Sequence, residues 1–299
     1  MTPFSLHPVI ELSFTPIVTI VGLDVRLETL AAAGAILLAL LLAVVISRRT
    51  PVDLSLPPGA PSPDPEDDGP NRLRADDLLY ITVAAFPGAV VGGRLGYGLL
   101  HLDYYGANPG ALFDIALGGL QLSLGVVGGL FTASIVAGLL GAPLGRWLHA
   151  LTLPLLLLLA GAKAAMILGG SGQGVPWSDD LATAYLGVGP WGSLAPAVPS
   201  YPAQAIEALA TLAILGFAWW LMALGLFARR SGAVFFVGLG LWAAARAAVA
   251  SLWRDPLVNG GLRVDQVISI VIAVSCVVMV MAMSGRAIAD RLRGRSPAT

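Results

Sequence analysis

The sequence predicts an all-α membrane protein, a bundle of about seven transmembrane helices with its N-terminus outside the cytoplasm and its C-terminus inside. Three observations predict it. Charged residues make up 12% of the chain and hydrophobic ones 57%, whereas a soluble domain carries roughly 25% charged residues. So little charge cannot cover a globule of this length, and lipid must replace water over much of the surface. The apolar residues fall in continuous runs rather than in strict alternation, which favours helices over a β-barrel. Finally, the arginines segregate to alternate loops.

A helix needs roughly 20 apolar residues to cross the hydrocarbon. Seven runs qualify: about Leu30–Ile46, Leu78–Leu100, Leu117–Leu140, His149–Leu168, Pro202–Phe227, Ala233–Trp253 and Gln266–Met283. The first thirty residues lack a basic start, so the first run is read as a retained span rather than a signal peptide. One set of loops holds Arg48, Arg49, Arg72, Arg74, Arg146, Arg229 and Arg230, joined by the tail arginines Arg286, Arg291, Arg293 and Arg295. The opposite set holds Arg26, Arg254 and Arg263. Seven spans put the two sets on opposite sides, the arginine-rich one cytoplasmic.

The chain thus divides into an external segment 1–29, a spanning domain 30–285 and a basic cytoplasmic tail 286–299. Within the domain, the Pro- and Asp-rich stretch 51–77 reads as a flexible cytoplasmic linker. The external loop 169–201 carries no basic residue and contains Trp177, Tyr185 and Trp191. Two readings of it stand open, an aromatic belt at the interface and a lid touching substrate. Sequence repeats and paired broken spans, which would suggest a transporter, are not evident. A net charge of −1 gives no reason to expect a nucleic-acid partner. The single cysteine, Cys276, offers neither an intrachain disulfide nor a metal cluster.

Four ionisable residues fall inside the runs: Arg94, Lys163, Glu207 and Arg246. A charge at the bilayer centre costs about 2.5–3.5 kcal/mol on insertion scales, so each is a functional candidate. Three cations face one anion, and all three lie toward the external ends of their runs. The excess calls for an anionic ligand, and in a membrane that points to a phospholipid phosphate. The plainer alternative is snorkelling to bulk lipid. Glycines surround Arg94 in Gly92-Gly93-Arg94-Leu95-Gly96-Tyr97, and small residues surround Lys163 in Gly161-Ala162-Lys163-Ala164-Ala165. They serve close helix packing, with or without room for a head group. Pro202 opens the fifth run, and Gln204 and Glu207 share one helical face a turn deep. That polar pair is either part of the site or a structural link between helices.

These pieces, in this order, resemble the prolipoprotein diacylglyceryl transferases of bacterial inner membranes. Residues 92–97 match the family's GGRLGY. Gly118-Gly119-Leu120 through Leu124 lies where the family has GGMSFHGG, and Ala162–Gly174 lies where it has GRIGNFINGELWG. Pro202, Gln204 and Glu207 match the P, Q and E of HPSQLYE, Arg246 falls on the arginine of RFxVEFFR, and Gln266 on the glutamine of GQ. The resemblance implies transfer of the diacylglyceryl group of phosphatidylglycerol to the lipobox cysteine thiol of a preprolipoprotein. Glycerol phosphate leaves, and no metal or other cofactor is used. It implies an inner-membrane location, Arg246, Lys163 and Glu207 as the catalytic set, and Arg94, Gln204 and Tyr97 at the lipid phosphate.

The chain also departs from the pattern. Residues 123–129 read SLGVVGG, without the family histidine. Lys163 stands for an arginine, Met166 for an asparagine, Ser171 for a glutamate, and Ala250 for the glutamate after the sixth-span arginine. Lysine is a point charge and does not grip phosphate in the bidentate way arginine does. Glu28, Asp103, Tyr104 and Tyr105 are polar groups near enough in the sequence to compensate, or simply interfacial residues. An alternative therefore stands beside the transferase: a family member that keeps the phospholipid-binding scaffold, as a binding protein or partner subunit, without the transfer.

Overall fold

The computed structural model describes residues 9–13, 17–52, 72–114, 119–185, 198–225, 232–255, 257–258 and 260–292. Seven of its helices are long and apolar enough to cross a membrane. They are α1 (Leu27–Ser47), α2 (Ala75–Leu100), α4 (Leu122–Leu139), α5 (Leu144–Gly169), α6 (Ala203–Ala223), α7 (Ala233–Ala250) and α8 (Val264–Leu292). A short helix α3 (Leu102–Ala107) and a 3-10 turn (Pro109–Phe113) follow α2. In hydrocarbon the backbone must satisfy its own hydrogen bonds, and these apolar runs do so as helices.

Sequence reasoning did not anticipate four short strands at the arginine-poor end. β2 (Ile17–Ile20) and β3 (Leu23–Arg26) form an antiparallel hairpin leading straight into α1. β1 (Ile10–Leu12) pairs in parallel with β4 (Thr183–Tyr185), which lies in the long loop after α5. The segment ahead of the first span is therefore sewn to that loop. Trp177 in the same loop stacks on Tyr201, with ring centroids 4.2 Å apart. Trp191, most of the 51–77 linker, Arg229, Arg230 and the side chains of the basic tail lie outside the described residues.

α2 and α4 make close contact along a glycine seam. A methyl group at Gly88 would collide with the Gly128 carbonyl, and one at Gly92 with the Leu124 carbonyl. This is small-residue packing of the kind lipid-embedded helices use, because removing Cβ lets backbones approach. The third run was expected to begin at Leu117, but α4 starts at Leu122. Gly119 takes a positive φ of 123° against the Tyr97 ring, and the Gln121 side chain caps the helix by accepting from the Leu124 N–H at 2.6 Å.

α5, α6, α7 and α8 share the main core. Leu153, Leu156 and Leu159 of α5 meet Phe235, Leu239 and Trp242 of α7, closed by Ile272 and Cys276 of α8. α1 packs on α5, where Gly161 faces Ala35. Between the α1–α5 pair and the α2–α4 pair lies an apolar furrow of about 480 Å³. It runs from Leu120, Gln121 and Ala162 toward the arginine-poor end to Ala137 and Trp147 toward the other.

Candidate functional site

Behind Gln121, which lines one end of this furrow, four ionised side chains from four helices meet. Glu207 lies one turn into α6, fully buried, and both its oxygens carry a cation. Lys163 Nζ of α5 is 3.1 Å from Oε2, and Arg246 Nη1 of α7 is 2.5 Å from Oε1. Arg246 Nη2 is 2.7 Å from Oδ2 of Asp265, the second residue of α8. Its remaining edge donates from Nε to Ser123 Oγ at 2.8 Å. Ser123 in turn donates to Asp265 Oδ1 at 2.9 Å, and the amide nitrogen of Gln121 donates to the same oxygen. Gln121 is thereby oriented at both ends, its oxygen capping α4 and its nitrogen on the carboxylate. The start of α8 also favours an anion at Asp265 through its unpaired N–H groups.

Two features close the site from the arginine-poor end. The indole of Trp253 lies over Lys163, 4.2 Å from Nζ to the ring centroid, so the ammonium meets a π face beside its carboxylate. α5 stops at Gly170, left-handed at φ 66°, with the Ser171 N–H on the Met166 carbonyl at 3.1 Å. That turn delivers Ser171 Oγ to Glu28 Oε1 at 2.6 Å, and Glu28 pairs with Arg26 at 3.0 Å. Glu28 and Ser171 thus tie α1 to the end of α5. Gln204 donates to the Tyr185 hydroxyl at 3.1 Å, linking α6 to β4. Burial raises the pKa of Tyr185, and it likewise pushes up the carboxyl of Asp255 between α7 and α8, within electrostatic reach of Asp265, Arg246, Arg263 and Lys163.

Two sequence expectations change here. Lys163, Glu207 and Arg246 come together, but Arg94 does not join their ion pairs. Its guanidinium donates to four backbone carbonyls, those of Leu112 (2.7 Å), Ala111 (3.1 Å), Asp114 (2.5 Å) and Gly119 (3.3 Å). Arg94 holds the connection between α3 and α4, with Tyr97 and Tyr105 beside it at about 6 Å. The excess of cations also disappears, because Asp265 supplies a second buried anion and the quartet balances. Hydropathy alone began the last span at Gln266 and left Asp265 in the loop. An acidic residue just ahead of that run was the available signal.

A family model described as prolipoprotein diacylglyceryl transferase matches residues 16–282. That covers six of the spans whole, most of α8 and the whole quartet. The chain belongs to the prolipoprotein diacylglyceryl transferase family. Curated relatives named phosphatidylglycerol–prolipoprotein diacylglyceryl transferase, from Streptococcus pneumoniae strains Hungary19A-6, G54 (serotype 19F) and ATCC 700669, are each 43% identical over 65 residues. Those matches span 22% of this chain and 23% of each relative's length. Within this family member, then, Lys163 and Arg246 are balanced by Glu207, which the motif comparison singled out, and by Asp265, which it did not.

Proposed function

We propose that the chain transfers a diacylglyceryl group from phosphatidylglycerol to the thiol of a lipobox cysteine in a preprolipoprotein, in the inner membrane of a bacterium. Family membership supplies the reaction class. The observation that carries the reading on this chain is the quartet's contact with the apolar furrow through Gln121. Gln121 lines the furrow and also bonds Asp265, and Ala162, beside Lys163, lines it too. Acyl chains in the furrow would bring the lipid phosphate to the level of the quartet.

In this reading Lys163 and Arg246 supply positive field as the glycerol C–O bond breaks and the thioether C–S bond forms. The thiol proton departs with the glycerol phosphate. Glu207 orients the two cations. Gln204 and Tyr185 position the start of α6, and Arg94 holds the described part of the α3–α4 connection, with Tyr97 beside it. A metal plays no part in this scheme.

The second reading, a phospholipid-binding member without transfer, is favoured by one observation: each nitrogen of the Arg246 guanidinium already faces a protein oxygen, Nε and Nη1 through hydrogen bonds and Nη2 through an ion pair. Purified protein in phosphatidylglycerol micelles with a lipobox peptide separates the two. The transferase releases glycerol phosphate and lipidates the peptide. Lipid retention without release between about pH 6 and pH 9 establishes the binding scaffold, since a thiol of ordinary pKa is partly ionised across that range.

A further inference from the structure

The outer edge of a guanidinium, Nε with Nη2, is the edge that grips an oxyanion with two parallel N–H groups. In Arg246 that edge donates from Nε to Ser123 Oγ at 2.8 Å and faces Asp265 Oδ2 across an ion pair, 2.7 Å from Nη2. We infer that Asp265 is a resident anion occupying the seat of a donor-lipid phosphate on Arg246, and that it sets the head-group charge this protein selects. The inference rests on the proposed phospholipid site and goes beyond it by naming the residue that governs donor choice.

Charge counting gives the direction. Lys163 and Arg246 are met by Glu207 and Asp265, so the quartet is neutral before any lipid arrives. An anionic head group entering beside both carboxylates leaves one negative charge uncompensated in a low-dielectric site. It enters without that penalty only if Asp265 gives way. A zwitterionic head group brings its own cation and meets a smaller penalty.

Of the two carboxylates, Asp265 is the exchangeable one. Glu207 sits inside α6 with one cation on each oxygen. Asp265 is the second residue of α8, and the chain reaches it through Gly260 and Gly261, both at positive φ with open space where a side chain would be. Its other anchors are neutral: the Ser123 hydroxyl and the Gln121 amide. When Asp265 swings away, the hydroxyl and the amide remain to donate to a phosphate oxygen in its place.

The test is competitive binding of phosphatidylglycerol against phosphatidylcholine to the full chain in detergent micelles. Asp265→Asn keeps the shape and removes the charge. It should raise the preference for phosphatidylglycerol about tenfold, the ratio expected when a buried like charge is removed from beside an anion. Asp265→Glu should leave the preference within about twofold of the parent, because the charge stays. Gln121→Leu keeps the carboxylate but removes one of its anchors, so it should shift preference the same way by a smaller factor. It supplies the answer if Asp265→Asn does not fold. An unchanged preference in the folded Asp265→Asn protein, or in Gln121→Leu should that protein fail to fold, overturns the inference, as does a shift toward phosphatidylcholine. Transfer is scored separately. A protein that never lipidates peptide but gains phosphatidylglycerol on Asp265→Asn loses the transferase reading and keeps this one.

Discussion

Replacing Glu207 by glutamine removes one negative charge, keeps the side-chain shape, and leaves Lys163 and Arg246 facing a single carboxylate. Glu207 is 1% exposed, with cations at 3.1 Å and 2.5 Å. Removing one partner of a buried ion pair costs about 3–5 kcal/mol, most of it the unpaired charge left behind. Here Lys163 loses its carboxylate while Arg246 keeps Asp265, so the lower end of that range, about 3 kcal/mol, applies. For a chain of this size each kcal/mol moves the midpoint by about 2–4 °C, giving a drop of about 6–12 °C at that bound. The chain carries its own probe. Cys276 is its single cysteine and is buried in the α7–α8 core, so a thiol-reactive dye added to the detergent-solubilised protein reports unfolding directly. Glu28→Gln is the control, because its pair with Arg26 is partly exposed and worth about 0–1 kcal/mol, and the glutamine oxygen still accepts from Ser171. If Glu207→Gln melts within about 2 °C of the parent, less than 1 kcal/mol by the same conversion, then Glu207 does not hold both cations and the quartet is misread.

Three further outcomes follow from the same geometry. Gly88→Ala should cost about 1–3 kcal/mol by forcing α2 from α4, seen as an earlier dye reaction, whereas Gly138→Ala has open space and should be neutral or slightly stabilising. Trp253→Leu should lose about 2 kcal/mol of cation–π support for the Lys163 ammonium, and Trp253→Phe should recover part of it, both read as melting midpoints. Burial raises the pKa of Tyr185 above its ordinary 10.0, so the folded chain keeps that proton after the unfolded chain has lost it. Stability should therefore fall as pH rises past 10.0, and Tyr185→Phe should flatten the fall in a denaturant titration, at the cost of the Gln204 hydrogen bond.

Much of the bundle was legible because a span is a local property. The run from Leu78 to Leu100 needs no distant residue to become α2, and the same holds for each of the other six. The glycines around Arg94 were legible as packing residues, and Gly92 lies against the Leu124 carbonyl, since lack of a side chain has the same consequence wherever two lipid-embedded helices meet. The β1–β4 pairing was not legible. It joins three-residue segments far apart in the chain, too short for any periodic signal.

The site divides in the same way. The sequence by itself determined that Lys163, Glu207 and Arg246 would be costly in lipid and therefore must find partners, because the penalty for an intramembrane charge depends only on depth. Their family resemblance was also present in the residues themselves. Only the tertiary structure decided who the partners are. It turned Arg94 to the carbonyls of the α3–α4 connection and brought Asp265, from the first turn of the last helix, across to Arg246. Pairing depends on distances of a few ångströms between helices remote in sequence, and Coulomb energy is decided at that scale. That is why an apparent excess of positive charge in the sequence becomes a neutral quartet in the fold.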